Sequence, residues 1–432
     1  MNMLPEPTLT LTLPSLNDGL TLDCRIYHPL SLAANPRAPP WQRHAAVIAH
    51  PYAPFGGCYD DPVVDTVAGQ LLRKGFLVAT FNFRGASGSA GRTSWTSKPE
   101  RDDYATMVAF VVYYVHHLDP FRPHSSSSDG FGPQPARLSP PSDAPLPILP
   151  PPVCPVLLMG GYSYGAMITT QIPPLYAILE PFASPPAGSD AAEVRLRAEH
   201  LAQQQNVVLA SARSVMLERG IRSPSKRGVR IGGDEGGSPR KSHESHGGRR
   251  SFSFDAEDKF RRGVHDFVAK AKSGRHGHKL FHAKADSRDR AVTPPPQPPQ
   301  PSQPQPDDKL AAIRDLTMPN TAYLLISPLQ GLVTHLATLS LVPTALAKRK
   351  TPHEAEAEEK LVRNPTLAVF GDTDVFVASH KLRTWATRIE GRQGSKFQSH
   401  EVTTAGHFWV EEGVLHQMRD EVAAFADRLL TN

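Results

Sequence analysis

Ser163 lies between two glycines in Gly161-Tyr162-Ser163-Tyr164-Gly165, with the apolar run Leu157-Leu158-Met159 before it and Ala166-Met167-Ile168 after it. A strand–turn–helix context of this kind forces the serine backbone into a strained conformation that only small flanking residues tolerate, and it presents the hydroxyl at the start of a helix. There the free N–H groups and the helix dipole favour a developing negative charge. The competing reading is a structural Gly-Ser turn, because so short a pattern is common by chance. A serine hydroxyl is a weak nucleophile until a base removes its proton, and the base needs an acid to hold its tautomer. Two carboxylates, Asp372 and Asp374 in Gly371-Asp372-Thr373-Asp374, follow the short apolar run Thr366 to Phe370. Ligand sites of open α/β sheets lie at such strand ends. His407, in Ala405-Gly406-His407-Phe408-Trp409, follows the last strand candidate and is the candidate base.

The order serine, aspartate, histidine along the chain is that of the α/β-hydrolase fold. Two further blocks, His50-Pro51-Tyr52-Ala53-Pro54-Phe55-Gly56-Gly57 and Phe81-Asn82-Phe83-Arg84-Gly85-Ala86-Ser87-Gly88, complete a resemblance to the α/β-hydrolase superfamily. The chain is most similar to small serine hydrolases with HPxPxxGG, NFRG and GxSxG motifs, over roughly 250 residues in the family's order. The resemblance implies an α/β-hydrolase fold and a Ser163, Asp374, His407 triad, the acid being the last residue of G-x-x-D and Asp372 its nearby rival. It also implies that the His50 loop shapes the oxyanion hole. Pro51 has no N–H, so the expected donors are the backbone N–H groups of Tyr164 and Tyr52. A serine at the elbow argues against epoxide hydrolases and dehalogenases, which use a carboxylate there.

The elements that must carry these residues alternate between strand and helix. Thr8 to Leu13 and Leu20 to Tyr27 alternate polar and apolar residues around an Asn17-Asp18-Gly19 turn signal and predict a hairpin. His44 to Ala49, Phe76 to Phe81, Val156 to Met159, Ala322 to Ile326, Thr366 to Phe370 and Gln398 to Thr403 read as strands. Helices are expected at Pro62 to Arg73, Arg101 to His117, Tyr164 toward Ile178, Ser379 to Ile389 and about Val410 to Leu430. Strands separated by helices of this length imply parallel βαβ units.

Of the 432 residues, 39% are hydrophobic and 43 are proline, a composition too thin in apolar residues for all of the chain to be core. Two stretches account for this. Residues 120–152 form a Pro/Ser-rich loop, and residues 185–317 form a basic, largely disordered insertion with short helices, one of them expected at Asp255 to Lys272. Without them about 270 residues remain, a size one α/β domain fills. The core is therefore expected as 1–184 and 318–432, with 327–360 a lid or a packed helix pair.

The net charge is +5, and residues 211–290 hold about 20 Lys and Arg against about 10 Asp and Glu. Nucleic-acid binding by the whole chain is not expected; the insertion reads as a site for an acidic partner or for phosphorylation around Ser223, Ser225, Ser251 and Ser253. Three cysteines, an odd and widely spaced set, argue against a disulfide framework and for a reducing, cytoplasmic setting. No run reaches the length of a membrane span. The expected activity is cleavage of an ester, thioester or amide of a small-molecule acyl substrate through an acyl-enzyme, most simply by an esterase, with peptidase and acyltransferase activity as variants. No cofactor or metal is expected. The reading from another class is a regulatory or scaffold protein that uses the core and the basic insertion to bind partners. Arg84 reads as a loop anchor, and His380, His400 and His416 as surface residues. Cys58 is a candidate second nucleophile without an evident base.

Overall fold

The computed structural model describes residues 3–121, 154–221, 309–329 and 352–431. Residues 122–153 of the expected Pro/Ser-rich loop, most of the expected basic insertion with the helix expected at 255–272, and residues 330–351 of the expected lid or helix pair lie outside them. The strands are β1 (Leu9–Pro14), β2 (Thr21–Tyr27), β3 (Ala45–Ala49), β4 (Leu77–Phe81), β5 (Val156–Tyr162), β6 (Asn320–Ile326), β7 (Thr366–Gly371) and β8 (Phe397–Val402). They form one sheet in the order β1-β2-β4-β3-β5-β6-β7-β8. The two pairings made by β2 are antiparallel and all others are parallel. This is the α/β-hydrolase fold.

The burial patterns explain the arrangement. Every residue of β3, β4, β5 and β7 is buried, as strands covered on both faces must be. The edge strand β1 alternates instead. The covering helices are α1 (Pro62–Arg73), α2 (Lys98–His117), α3 (Tyr164–Gln171), α4 (Leu175–Ala183), α5 (Asp190–Ile221), α6 (Pro352–Arg363), α7 (Ser379–Glu390) and α8 (Val414–Thr431). Val64 and Val67 of α1 and Met418, Val422 and Phe425 of α8 fill the core on one face. Tyr104 and Phe110 of α2, Ile168, Ile178, Ala198 and Ile389 fill the other.

Three segments depart from the periodicity of the sequence. The helix expected from Tyr164 toward Ile178 is two helices, because Pro173 and Pro174 remove backbone donors and push Ile172 into an extended conformation, ψ 149°. Helix α6 overlaps the end of the segment 327–360, expected as a lid or a packed helix pair, and runs on past it; it buries Ala357, Lys360, Leu361 and Val362. Both ends of the 185–317 segment lie on the core: α5 buries Ala191, Val194, Ala198 and Ala202, and Pro186 forms a β-bridge with Lys309. The Lys360 ammonium donates to the Thr169 carbonyl at 2.8 Å and to that of Ile172, closing the C-terminal end of α3. No helix among the described residues is long and apolar enough to cross a membrane.

Arg84 is the buried anchor expected of it. Its guanidinium donates to both Asp103 carboxylate oxygens at 2.7 and 2.9 Å, to Asp18 at 2.9 and 3.2 Å and to Ser15 Oγ at 3.0 Å. The loop after β4 is thereby tied to the hairpin turn and to α2. Asp103 is fully buried, so Arg84→Met leaves an uncompensated charge and is expected to cost about 3–5 kcal/mol in urea unfolding. A loss under about 1 kcal/mol would show that the pair is dispensable.

Two buried histidines join neighbouring strands. His44 Nδ1 accepts the Val156 N–H at 3.0 Å, and His50 Nε2 accepts the Phe83 N–H at 2.9 Å while His50 Nδ1 donates to the Pro51 carbonyl at 2.5 Å. Each ring uses one nitrogen as an acceptor and must stay neutral to do so, and burial lowers both pKa values to about 4. The unfolded chain, with ordinary histidines near 6.5, binds more protons between these values. Stability contributed by the neutral rings is therefore full above pH 6.5 and is lost as pH falls toward 4. The urea midpoint should fall across this window, by on the order of 2 kcal/mol per ring, and His44→Gln or His50→Gln should flatten the fall.

Candidate active site

The nucleophile candidate sits where β5 turns into α3. Ser163 has φ 56° and ψ −111°, a strained conformation for a residue with a side chain. Its N–H donates to the Ile326 carbonyl at 2.8 Å, which fixes the turn against β6. A Cβ on Gly161 would lie 2.5 Å from the Gly165 carbonyl carbon, and one on Gly165 would lie 2.5 Å from the Ala49 carbonyl oxygen. The two glycines of the motif thus let the turn close on itself and let the start of α3 press against the end of β3.

His407 comes from the loop after β8. Its Nε2 lies 2.8 Å from Ser163 Oγ and its Nδ1 lies 2.6 Å from Asp374 Oδ2. The other Asp374 oxygen accepts the N–H groups of Phe376 at 2.8 Å and Val377 at 3.0 Å, so the carboxylate is held from both sides. All three side chains are buried. Asp372, the rival acid, accepts the Thr404 N–H at 2.7 Å instead and ties the loop after β7 to the loop after β8. The structure brings together Ser163, His407 and Asp374, and leaves Asp372 in a positioning contact.

Tyr164 is the first residue of α3, where backbone N–H groups have no intrahelical acceptor. Tyr52 follows the His50 loop; its carbonyl accepts the N–H groups of Phe55 and Gly57, closing a tight turn. Neither the Tyr164 nor the Tyr52 N–H donates a hydrogen bond among the described residues. The two rings pack at 5.1 Å between centroids. Both expected oxyanion donors thus border the nucleophile helix with their N–H groups unspent.

Several supports are not evident from sequence. The Tyr162 hydroxyl donates to the His407 carbonyl at 2.8 Å. Trp409, buried and with φ 56°, donates from Nε1 to Ser327 Oγ at 3.0 Å and so anchors the histidine loop to the end of β6. Asp61 accepts the Val63 N–H at 2.8 Å as the N-cap of α1, and burial raises the pKa of its carboxyl. His380 and His416 are exposed and His400 lies 3.7 Å from Glu421, away from these contacts. Cys58 is half-buried and makes no side-chain hydrogen bond among the described residues. No group of three or more His, Cys, Asp or Glu among them is arranged to hold a metal.

No protein-family model matches the chain, and no curated protein does. Among solved structures it is similar to an α/β serine hydrolase without a lid from Xanthomonas campestris, at 14% identity and a TM-score of 0.42, covering 99% of this chain and 98% of that one. An α/β serine hydrolase homologue from Coxiella burnetii is 12% identical with a TM-score of 0.40, covering 98% of each chain. An esterase from Pyrococcus furiosus is 9% identical with a TM-score of 0.40, covering 98% of this chain and 91% of that one.

Proposed function

We propose that the protein is a serine hydrolase that cleaves a carboxylic ester by way of an acyl-enzyme. One observation carries the reading: His407 reaches Ser163 Oγ at 2.8 Å with one ring nitrogen and Asp374 at 2.6 Å with the other, at a strained elbow of the sheet. In the reaction Ser163 Oγ attacks the substrate carbonyl carbon and passes its proton to His407 Nε2. Asp374 holds the tautomer and stabilises the imidazolium. The N–H groups of Tyr164 and Tyr52 receive the oxyanion, whose stabilisation is commonly the largest single contribution to such catalysis. Collapse of the tetrahedral adduct expels the alcohol, which takes the proton from His407. Water then repeats the sequence and releases the acid.

The test is hydrolysis of p-nitrophenyl butyrate beside the matching p-nitroanilide. The purified protein should release p-nitrophenol with saturation kinetics and cleave the anilide far more slowly. Absence of ester turnover by folded protein, or turnover retained by Ser163→Ala, would sink the proposal.

A further inference from the structure

We infer that Phe376 and Phe408 form the subsite of the leaving alcohol, and that the substrate is an ester of an apolar alcohol. This rests on the proposed esterase reading and names the substrate class of the same site. The group that returns a proton to the leaving oxygen is His407 Nε2, which requires that oxygen within hydrogen-bond reach of the imidazole. The first carbons of the alcohol must therefore lie against whatever surrounds this ring.

Two phenyl rings do. Phe376 meets the imidazole edge-on at 4.6 Å and 73°, and Phe408 meets it at 5.6 Å and 87°. They also meet each other, at 5.8 Å. Tyr162, at 5.7 Å, is buried and forms no open surface. Phe376 and Phe408 remain 37% and 58% exposed, and the neighbouring Val375 and Val410 are 76% and 81% exposed. Contiguous apolar exposure at the rim of a polar site marks a binding surface.

The backbone holds both rings in place. The Phe376 N–H is bound by the same carboxylate that orients His407. Trp409 is locked inward through Ser327 while Phe408 beside it stays exposed. A benzyl or hexyl alcohol would face the two rings that meet the imidazole.

The experiment compares kcat/KM for ethyl, hexyl and benzyl esters of butyric acid, and separately for ethyl acetate, ethyl butyrate and ethyl hexanoate. Using kcat/KM keeps the alcohol visible even where deacylation limits kcat. Benzyl and hexyl butyrate should exceed the ethyl ester by about 10-fold or more, within what an apolar pocket can discriminate. Phe408→Ser and Phe376→Ser should each narrow that ratio to about 3-fold or less, while the ratios within the acyl series stay as in the wild type. Thermal unfolding confirms that each variant is folded. A wild-type ratio near unity, or a preference that survives both substitutions, would overturn the inference. A fluorophosphonate run on the same samples separates the failures: labelling at Ser163 with a flat alcohol series removes only the subsite, and no labelling removes the esterase reading beneath it.

Discussion

Ser163→Ala and His407→Ala are each expected to lower kcat for ester hydrolysis by about 10⁵ to 10⁶-fold, and the double variant is expected to be no worse than either single one. The non-additivity follows from the geometry. The Ser163 to His407 hydrogen bond joins two groups that act as one unit, so removing either already forfeits the nucleophile. What remains is the contribution of the Tyr164 and Tyr52 N–H groups and of binding. Losses that simply added would mean that the two residues act independently. Because Ser163 is strained, Ser163→Gly is also expected to unfold at higher urea than the wild type, by about 1 kcal/mol or more, glycine adopting φ 56° freely.

The second large effect separates the two aspartates. Asp374→Asn should lower kcat by about 10⁴-fold near neutral pH, with KM little changed, as the loss of a triad carboxylate does elsewhere. An amide at this position can keep one oxygen on the Phe376 and Val377 N–H groups, so the loop stays in place. Its NH₂ then faces His407 Nδ1 and favours the tautomer that carries the proton on Nε2, where it cannot accept one from Ser163. Asp372→Asn should change kcat by no more than a few-fold, because its oxygen serves only the Thr404 N–H, which an amide oxygen also accepts. Steady-state kinetics on p-nitrophenyl butyrate decide the matter. Equal losses in the two variants would mean that loop position, and not the carboxylate on His407, sets the rate.

The residues of the site were legible where local physics leaves few choices. Gly161 and Gly165 are needed where this strand and helix approach so closely, so their spacing, taken with the apolar run before it and the helix after it, points to the elbow. The β3, β4 and β7 runs are almost continuously apolar, Thr80 and Thr366 excepted, because both faces are covered. Other features depend on partners distant in the chain. Asp372 and Asp374 follow the same strand two residues apart; only the return of the chain after β7 decides which reaches His407. Helix α6 has few apolar positions to mark it as a packed element, yet Lys360 is drawn inside by the carbonyls at the end of α3. Helix α5 lies within the segment read as the basic insertion, yet Ala191, Val194 and Ala198 of its first turns are core while Val207, Val208 and Met216 of its later turns are exposed. The break between α3 and α4 was written in Pro173-Pro174, where apolar periodicity running through the pair masked it. Phe376 and Phe408 lie beside the acid and the base in sequence, but that they stay exposed while the neighbouring Trp409 is buried is something no pattern announces.

The most direct measurement is the intact mass of the protein after exposure to a fluorophosphonate, followed by peptide mapping. A single adduct is expected on the peptide containing Ser163, at a rate that falls by orders of magnitude in His407→Ala. Folded protein that gains no mass, or an adduct placed on any other residue, would contradict a nucleophilic Ser163.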